Sequence, residues 1–292
     1  MMRSLALVFT FFAAAFASAE GVITFASVKE GGERISSQTM LLAGGRMAAL
    51  AVVGANPATA KTEAEEEVKL VEFDPVTRLA ILERPKALAE QPAVARGSAL
   101  GLRQGDAVYL PAEKVRASRV VRWENTYREK VLPVALIRIH HPWTKPPLPG
   151  TPLSNEKGEV VAICHQPAPE FGNGTFALPI EVVTRIEKNL EAAGRLIPCW
   201  IGVTVNPNDP VLAIEMVRPG SPGFKAGVKK GDILIWVGPR EVSSYADARN
   251  AFYYLVAGQE TNLKLLRGTR SLELRVIPEV HPVYLNPLGE KR

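Results

Sequence analysis

Short runs of β-branched and aliphatic residues, broken every few positions by Gly, Pro or Asn, recur from Val22 to Ile139. They predict strands over 22–28, 47–53, 68–73, 79–83, 107–110, 115–122 and 134–139, a spacing that fits an antiparallel barrel or sandwich. The pattern changes after Pro179. Val182, Val183, Ile186 and Leu190 fall on one helical stripe that stops at Gly194. The fold class is therefore mainly β.

A length of 292 residues suits two domains, each able to bury its own core, and 23 glycines with 23 prolines agree with many turns. Met1 to Ala19 reads as a secretory signal: Arg3, an apolar run from Leu5 to Phe16, then Ala17-Ser18-Ala19 before Glu20. The predicted organisation is a signal over 1–19, a strand-rich domain over 20–194, a second domain over 195–282 and a tail over 283–292. Export to the periplasm or cell exterior follows, with no membrane attachment after cleavage. The formal charge of +5 is mild and spread along the chain, without a basic stripe interleaved with aromatics, which argues against nucleic acid. The acidic run Glu63 to Glu67 reads as a solvated hairpin flank.

Cys164 and Cys199 are the only cysteines. An even count in an exported chain invites a disulfide, while Cys164 at a strand end is equally an ordinary buried thiol. Cys164 with His165 is the one adjacent thiol–imidazole pair, although neighbours along a strand point to opposite faces. The same alternation separates His140 from His141. No ligand set at metal spacing appears, so no metal or cofactor is expected.

Residues 146 to 163, Pro-Pro-Leu-Pro-Gly-Thr-Pro-Leu-Ser-Asn-Glu-Lys-Gly-Glu-Val-Val-Ala-Ile, resemble the nucleophile loop and following strand of HtrA-type serine proteases, Asn-Pro-Gly-Asn-Ser-Gly-Gly-Pro-Leu and Gly-Glu-Val-Val-Gly-Ile. The stretch Val71 to Leu82 resembles the family's Val-Gly-x-Asp-Pro-x-Thr-Asp-Leu-Ala-Val-Leu. Gly172 to Ile180 is similar to its last barrel strand. The resemblance implies a trypsin-like double β-barrel. It places Pro149 at the nucleophile position, Pro147 at a glycine that donates to the oxyanion, and Arg78 at the triad aspartate. The first histidine of the chain is His140, whereas the family's base precedes the aspartate, in a region placed here around Met40 to Gly45. Proline has no N–H to donate, so Thr151 or Ser154 would inherit no prepared oxyanion hole. The expectation from these positions is a protease-shaped chain that is not an enzyme.

From Cys199 to about Val280 the chain is similar to the PDZ domain of that family, with Ser243 to Leu255 reading as its groove helix and 262–267 and 272–277 as its closing strands. Trp200-Ile201-Gly202-Val203 matches its carboxylate-binding loop, usually Tyr-Leu-Gly-Val, and Val217 to Leu234 matches its Val-x-Pro-Gly-Ser-Pro-Ala-x-x-Ala-Gly-Leu-x-x-Gly-Asp-Ile-Ile block. The resemblance implies that an extended peptide adds as a strand beside Val203, Thr204 and Val205, its terminal carboxylate held at the loop. Trp200, Ile201, Gly202, Val203, Thr204, Val205, Tyr245, Arg249 and Phe252 are the candidate peptide-binding residues, and Gly202 is expected to tolerate a bulky residue in fold but not in binding. The partners implied are C-termini or extended segments of other proteins. A second reading makes the chain a regulatory partner of an active HtrA-type protease, and a third an unorthodox peptidase built on Cys164 and His165.

Overall fold

The computed structural model describes residues 21–110, 116–141, 145–209 and 211–282. In the first lobe, Val22–Phe25 lies between Ile35–Gln38 and Lys61–Thr62, and a second sheet runs Met40–Leu42, Arg46–Leu50, Leu79–Glu83, Leu70–Asp74. Both faces of Met40–Leu42, Arg46–Leu50 and Leu79–Glu83 are buried, which explains why these strands are apolar at nearly every position. Leu41, Met47, Ala49 and Leu82 join Ile23 and Phe25 inside the lobe. Their neighbours Met40, Leu42, Ala48, Leu50 and Ile81 point the other way, onto Val160, Ile163 and Leu178 of the second lobe and Val183 and Ile186 of the following helix.

The second lobe is a closed barrel in the order Lys130–His140, Gly174–Pro179, Val160–Pro167, Pro152–Ser154, Ala107–Leu110, Arg116–Tyr127 and back to the first. Val108, Val120, Ile137, Ile139, Leu153 and Cys164 fill it. Helix Glu181–Ala193 follows, closed by Gly194 in the left-handed conformation that glycine adopts without a Cβ penalty.

The C-terminal domain pairs Cys199–Trp200 with Glu279–Val280, and Val203–Val205 with Ile214–Val217. A four-stranded sheet runs Arg240–Glu241, Ile233–Val237, Thr261–Arg267, Arg270–Val276. Helix Tyr245–Tyr253, shorter than the sequence suggested, starts at Ser244, whose hydroxyl accepts from the Asp247 amide at 3.1 Å. One face of this helix grips the barrel. Asn125 Nδ2 donates to Asp247 Oδ1 at 2.7 Å, the Ala135 amide donates to Asn250 Oδ1 at 3.0 Å, and the Tyr253 hydroxyl donates to Asp74 Oδ2. Asp74 also accepts from the Val76 amide and the Thr77 hydroxyl. Tyr253→Phe is therefore expected to cost only about 1 kcal/mol, read as a lower Tm in thermal denaturation.

Asp232, 1% exposed, accepts from the Lys229 amide at 2.8 Å, Arg267 Nε at 2.7 Å and Arg267 Nη2 at 2.8 Å. Burial alone would raise its carboxyl, but the hydrogen bonds from Arg267 and from the Lys229 amide outweigh it and hold the group below its ordinary value. A carboxylate lowered in the folded state stabilises the fold above its unfolded pKa of about 4, and that contribution is lost as pH falls through the folded value. Asp232→Asn is expected to lower stability at neutral pH by about 2 kcal/mol and to flatten the loss of stability below about pH 4, both measurable by urea denaturation across pH.

Candidate functional site

Strand Val203–Val205 uses one edge. Val203 faces Val217, Thr204 faces Met216 and Val205 faces Ile214, while its other edge has no neighbouring strand among the described residues. A strand with an open edge offers main-chain donors and acceptors to an incoming chain. Beside it is a cavity of about 370 Å³ lined by Trp200, Ile201, Gly202, Val203, Thr204 and Phe252, and also by Cys199, Met216, Arg218, Leu255 and His281. Val205, Tyr245 and Arg249 are not in its lining. Arg249 is exposed, and Tyr245 packs against the domain core with Phe252. The strand pairing brings in Met216 and Arg218, and the pairing of Trp200 with Glu279 brings in His281. Neither contact is visible along the chain, because the partners are far apart in sequence.

The cavity has polar features of its own. The Trp200 ring stands edge-on to His281 at 5.4 Å between centroids, and the Arg218 guanidinium sits 5.3 Å from the Trp200 ring centre. Trp200 Nε1 is buried and has no hydrogen-bond partner among the described residues. An indole N–H is a donor only, so an acceptor entering here would remove the cost of leaving it unpaired.

Gly202, at φ +74°, carries the chain into the strand. Its carbonyl accepts from the Arg218 amide at 2.8 Å, and the Ile201 carbonyl accepts from the Gly223 amide at 2.7 Å. A Cβ on Gly202 would lie 2.2 Å from Ser221 Cβ. The expectation that a bulky residue here spares the fold is thus corrected: the position is packed from behind as well as open to the groove.

The barrel residues singled out by the resemblance are all placed. The Pro149 carbonyl accepts from the Gln38 amide at 2.8 Å and from the Ser37 hydroxyl at 3.1 Å, and the Gly150 amide donates to the Cys164 carbonyl at 2.8 Å, so the loop that carries Pro147 and Pro149 is fastened to both lobes. Arg78, at φ +64°, donates to the carbonyls of Ala51, Val52 and Ala55 at 2.8, 3.2 and 3.0 Å and lies 4.9 Å from the Phe73 ring centre. The segment facing Arg78 is therefore 51–55, whereas Met40 to Gly45, assigned to the base from sequence, is the hairpin between Met40–Leu42 and Arg46–Leu50.

The Thr151 hydroxyl donates to the Leu148 carbonyl at 2.7 Å, and the Ser154 hydroxyl is buried with no hydrogen-bond partner. Cys164 is a free thiol inside the second barrel, its pKa pushed far up by burial, and Cys199 is likewise unbridged, its thiol raised by burial to about 11. His165 turns to the first lobe, with Nε2 3.2 Å from the Thr77 carbonyl, and burial holds its pKa below the ordinary value. The structure does not bring Cys164 and His165 together. His141 pairs instead with the Thr175 hydroxyl at 3.2 Å, deep in the barrel. Among the described residues no three His, Cys, Asp or Glu side chains converge as a metal site would require.

Residues 199–277 match the PDZ domain family. The chain is 30% identical over 147 residues, 44% of its length, to a putative serine protease HhoA of Synechocystis sp., covering 37% of that protein. It is 30% identical over 143 residues, again 44% of its length, to a probable periplasmic serine endoprotease DegP-like of Chlamydia trachomatis, covering 29%. The chain thus matches well under half the length of these curated relatives. Among solved structures, an HtrA-type protease AlgW with tripeptide aligns over 91% of this chain and 95% of its own at TM-score 0.59, and AlgW with decapeptide over 91% and 97% at 0.56. Both are 19% identical in sequence, a likeness of fold: mainly β, a trypsin-like unit followed by a PDZ domain.

These comparisons correct one expectation outright. The reading of the chain as a non-enzyme does not stand against relatives that are named serine proteases and serine endoproteases, nor against HtrA-type proteases as structural neighbours. The relatives the chain matches are named as proteases. The DegP-like relatives are periplasmic by name, and no helix of the described residues is long and apolar enough to cross a membrane. Residues 1–19 and 283–292, the expected signal and tail, lie outside the described residues.

Proposed function

We propose that this chain is an exported, HtrA-type, protease-like protein that recognises the C-terminal or extended segments of other proteins through its PDZ domain. The signal over 1–19 directs export, 20–194 forms the barrel unit and 195–282 the recognition unit. The observation that carries this reading is the open edge of Val203–Val205 running beside a cavity of about 370 Å³. A peptide strand pairs with that edge, and its last side chain enters the apolar part of the cavity between Ile201, Val203 and Phe252. Its terminal carboxylate lies by the turn at Gly202, within the reach of the Arg218 guanidinium, and accepts from the unpaired Trp200 Nε1. The AlgW neighbours were determined with a tripeptide and a decapeptide, which is in keeping with peptide recognition by this fold.

Screening the chain against a library of C-terminal peptides tests the proposal. Peptides with an aliphatic last residue are expected to bind, and Phe252→Ala to weaken them roughly tenfold. Unchanged affinity in that variant would place recognition elsewhere. Casein cleavage measured on the same sample reads hydrolysis separately from recognition.

A further inference from the structure

A second cavity, of about 220 Å³, lies where helix Glu181–Ala193 meets the C-terminal domain, and its polar lining carries an unusual set of unpaired atoms. Arg185 Nε and Nη1, Arg240 Nε, the Tyr254 hydroxyl and Glu181 Oε2 are all buried without a hydrogen-bond partner among the described residues. Arg185 is only 9% exposed. Buried polar atoms are nearly always paired, and five orphans on the walls of one space are not the scatter of a few per hundred residues that native folds show. The two guanidinium groups are held by their faces. Arg185 stacks 4.1 Å from the Tyr253 ring centre, Arg240 stacks 3.5 Å from that of Tyr254, and the two rings meet edge to face at 5.0 Å. Stacking fixes a guanidinium while leaving its in-plane N–H groups free to donate. Glu181 is fixed as well, since its Oε1 accepts from the Ser98 hydroxyl and the Ala99 amide.

We propose that this cavity binds a small aliphatic 2-hydroxycarboxylate between the two domains. The orphans number four donors and one acceptor. An ionised carboxylate offers about four lone-pair sites, and a hydroxyl beside it supplies one donor, here for Glu181 Oε2. Charge selects the same class. Arg185, Lys188 and Arg240 line the cavity with Glu181 and Glu260, and Glu260 already lies 3.9 Å from Arg275, so the lining carries an excess of cations that an anion offsets. The remaining wall, with Val237, Ala251 and Val256, suits an aliphatic tail and offers an inorganic oxyanion nothing. Burial also pulls the Arg240 guanidinium below its ordinary value, a cost that a bound anion offsets.

Isothermal titration of the full chain with 2-hydroxy-4-methylpentanoate tests this. Saturable binding with a Kd of roughly 0.1–1 mM is expected for a ligand of this size, weakened roughly tenfold in Arg240→Gln. Thr184→Leu, which fills the cavity from the helix and replaces none of the unpaired groups, is expected to abolish binding while leaving Tm within about 2 °C. It keeps the test decisive if Arg240→Gln fails to fold. 4-Methylpentanoate, lacking the hydroxyl, is expected to bind at least about fivefold more weakly. Absence of saturable binding, as when water alone satisfies the orphans, would overturn the proposal. So would binding indifferent to Thr184→Leu, or inorganic phosphate binding more tightly than the hydroxy acid.

Discussion

Replacing Gly150 with alanine is expected to lower the melting temperature of the barrel by about 10 °C or more, since its Cβ position makes the shortest approach of any described glycine. Two penalties add. At φ +85° an L-residue is strained by about 1–2 kcal/mol. The new Cβ would also lie 2.0 Å from the Gln38 carbonyl oxygen and 2.4 Å from Ser37 Oγ, and backbone cannot rotate away as a long side chain can. To relieve the overlap the loop must leave the first lobe, giving up the Gln38 amide and Ser37 hydroxyl bonds to the Pro149 carbonyl, each worth about 1 kcal/mol. Gly105, at φ +90° with nothing within 4 Å of its Cβ position, is the control: alanine there carries the strain alone. Equal melting temperatures for the two variants would contradict the clamp.

Gly202→Val is expected to unfold the C-terminal domain as well as to abolish peptide binding. The left-handed φ is least tolerable for a β-branched residue, and the Cβ would overlap the side chain of Ser221, which is 2% exposed and caps helix Pro222–Lys225 by accepting from the Phe224 amide. A cost of about 3 kcal/mol or more follows, visible in hydrogen exchange as lost protection over 199–280 with the barrel retained. Native protection with lost binding would mean that Ser221 moves aside at little cost. Gly202 cannot by itself separate folding from recognition, and Phe252→Ala is the cleaner probe of the groove.

The parts of the fold that could be read from sequence are those fixed by local periodicity. Leu79–Glu83, Ala107–Leu110 and the helix closed by Gly194 follow from apolar spacing and turn residues, while the PDZ strands follow from motif resemblance. Ile35–Gln38 was not legible, because Ile-Ser-Ser-Gln looks like a loop. Ser37 is nevertheless buried, its hydroxyl accepting from the Leu50 amide and donating toward the Pro149 carbonyl 112 residues away. Arg78 could be recognised as a charge in an unexpected place, yet its three carbonyl partners lie 23 to 27 residues earlier in a loop whose shape no pattern encodes. For the groove, the loop from Trp200 to Thr204 and Phe252 were named from motif and helix spacing. Arg218, Met216 and His281 arrive through strand register and chain closure. The contacts of Asn125, Asn250 and Tyr253 between domains are invisible to sequence for the same reason: each joins groups more than a hundred residues apart.

The central claim is that the end of a peptide is recognised at Val203–Val205. Its most direct test compares one binding peptide as the free acid and as its C-terminal amide, by fluorescence anisotropy on the same preparation. Capture of the carboxylate by Trp200 and Arg218 predicts at least about a tenfold loss of affinity on amidation, reduced in Trp200→Phe, which keeps the ring and removes the N–H. Equal affinities for acid and amide would contradict the account, and would mean that the groove does not read the chain end.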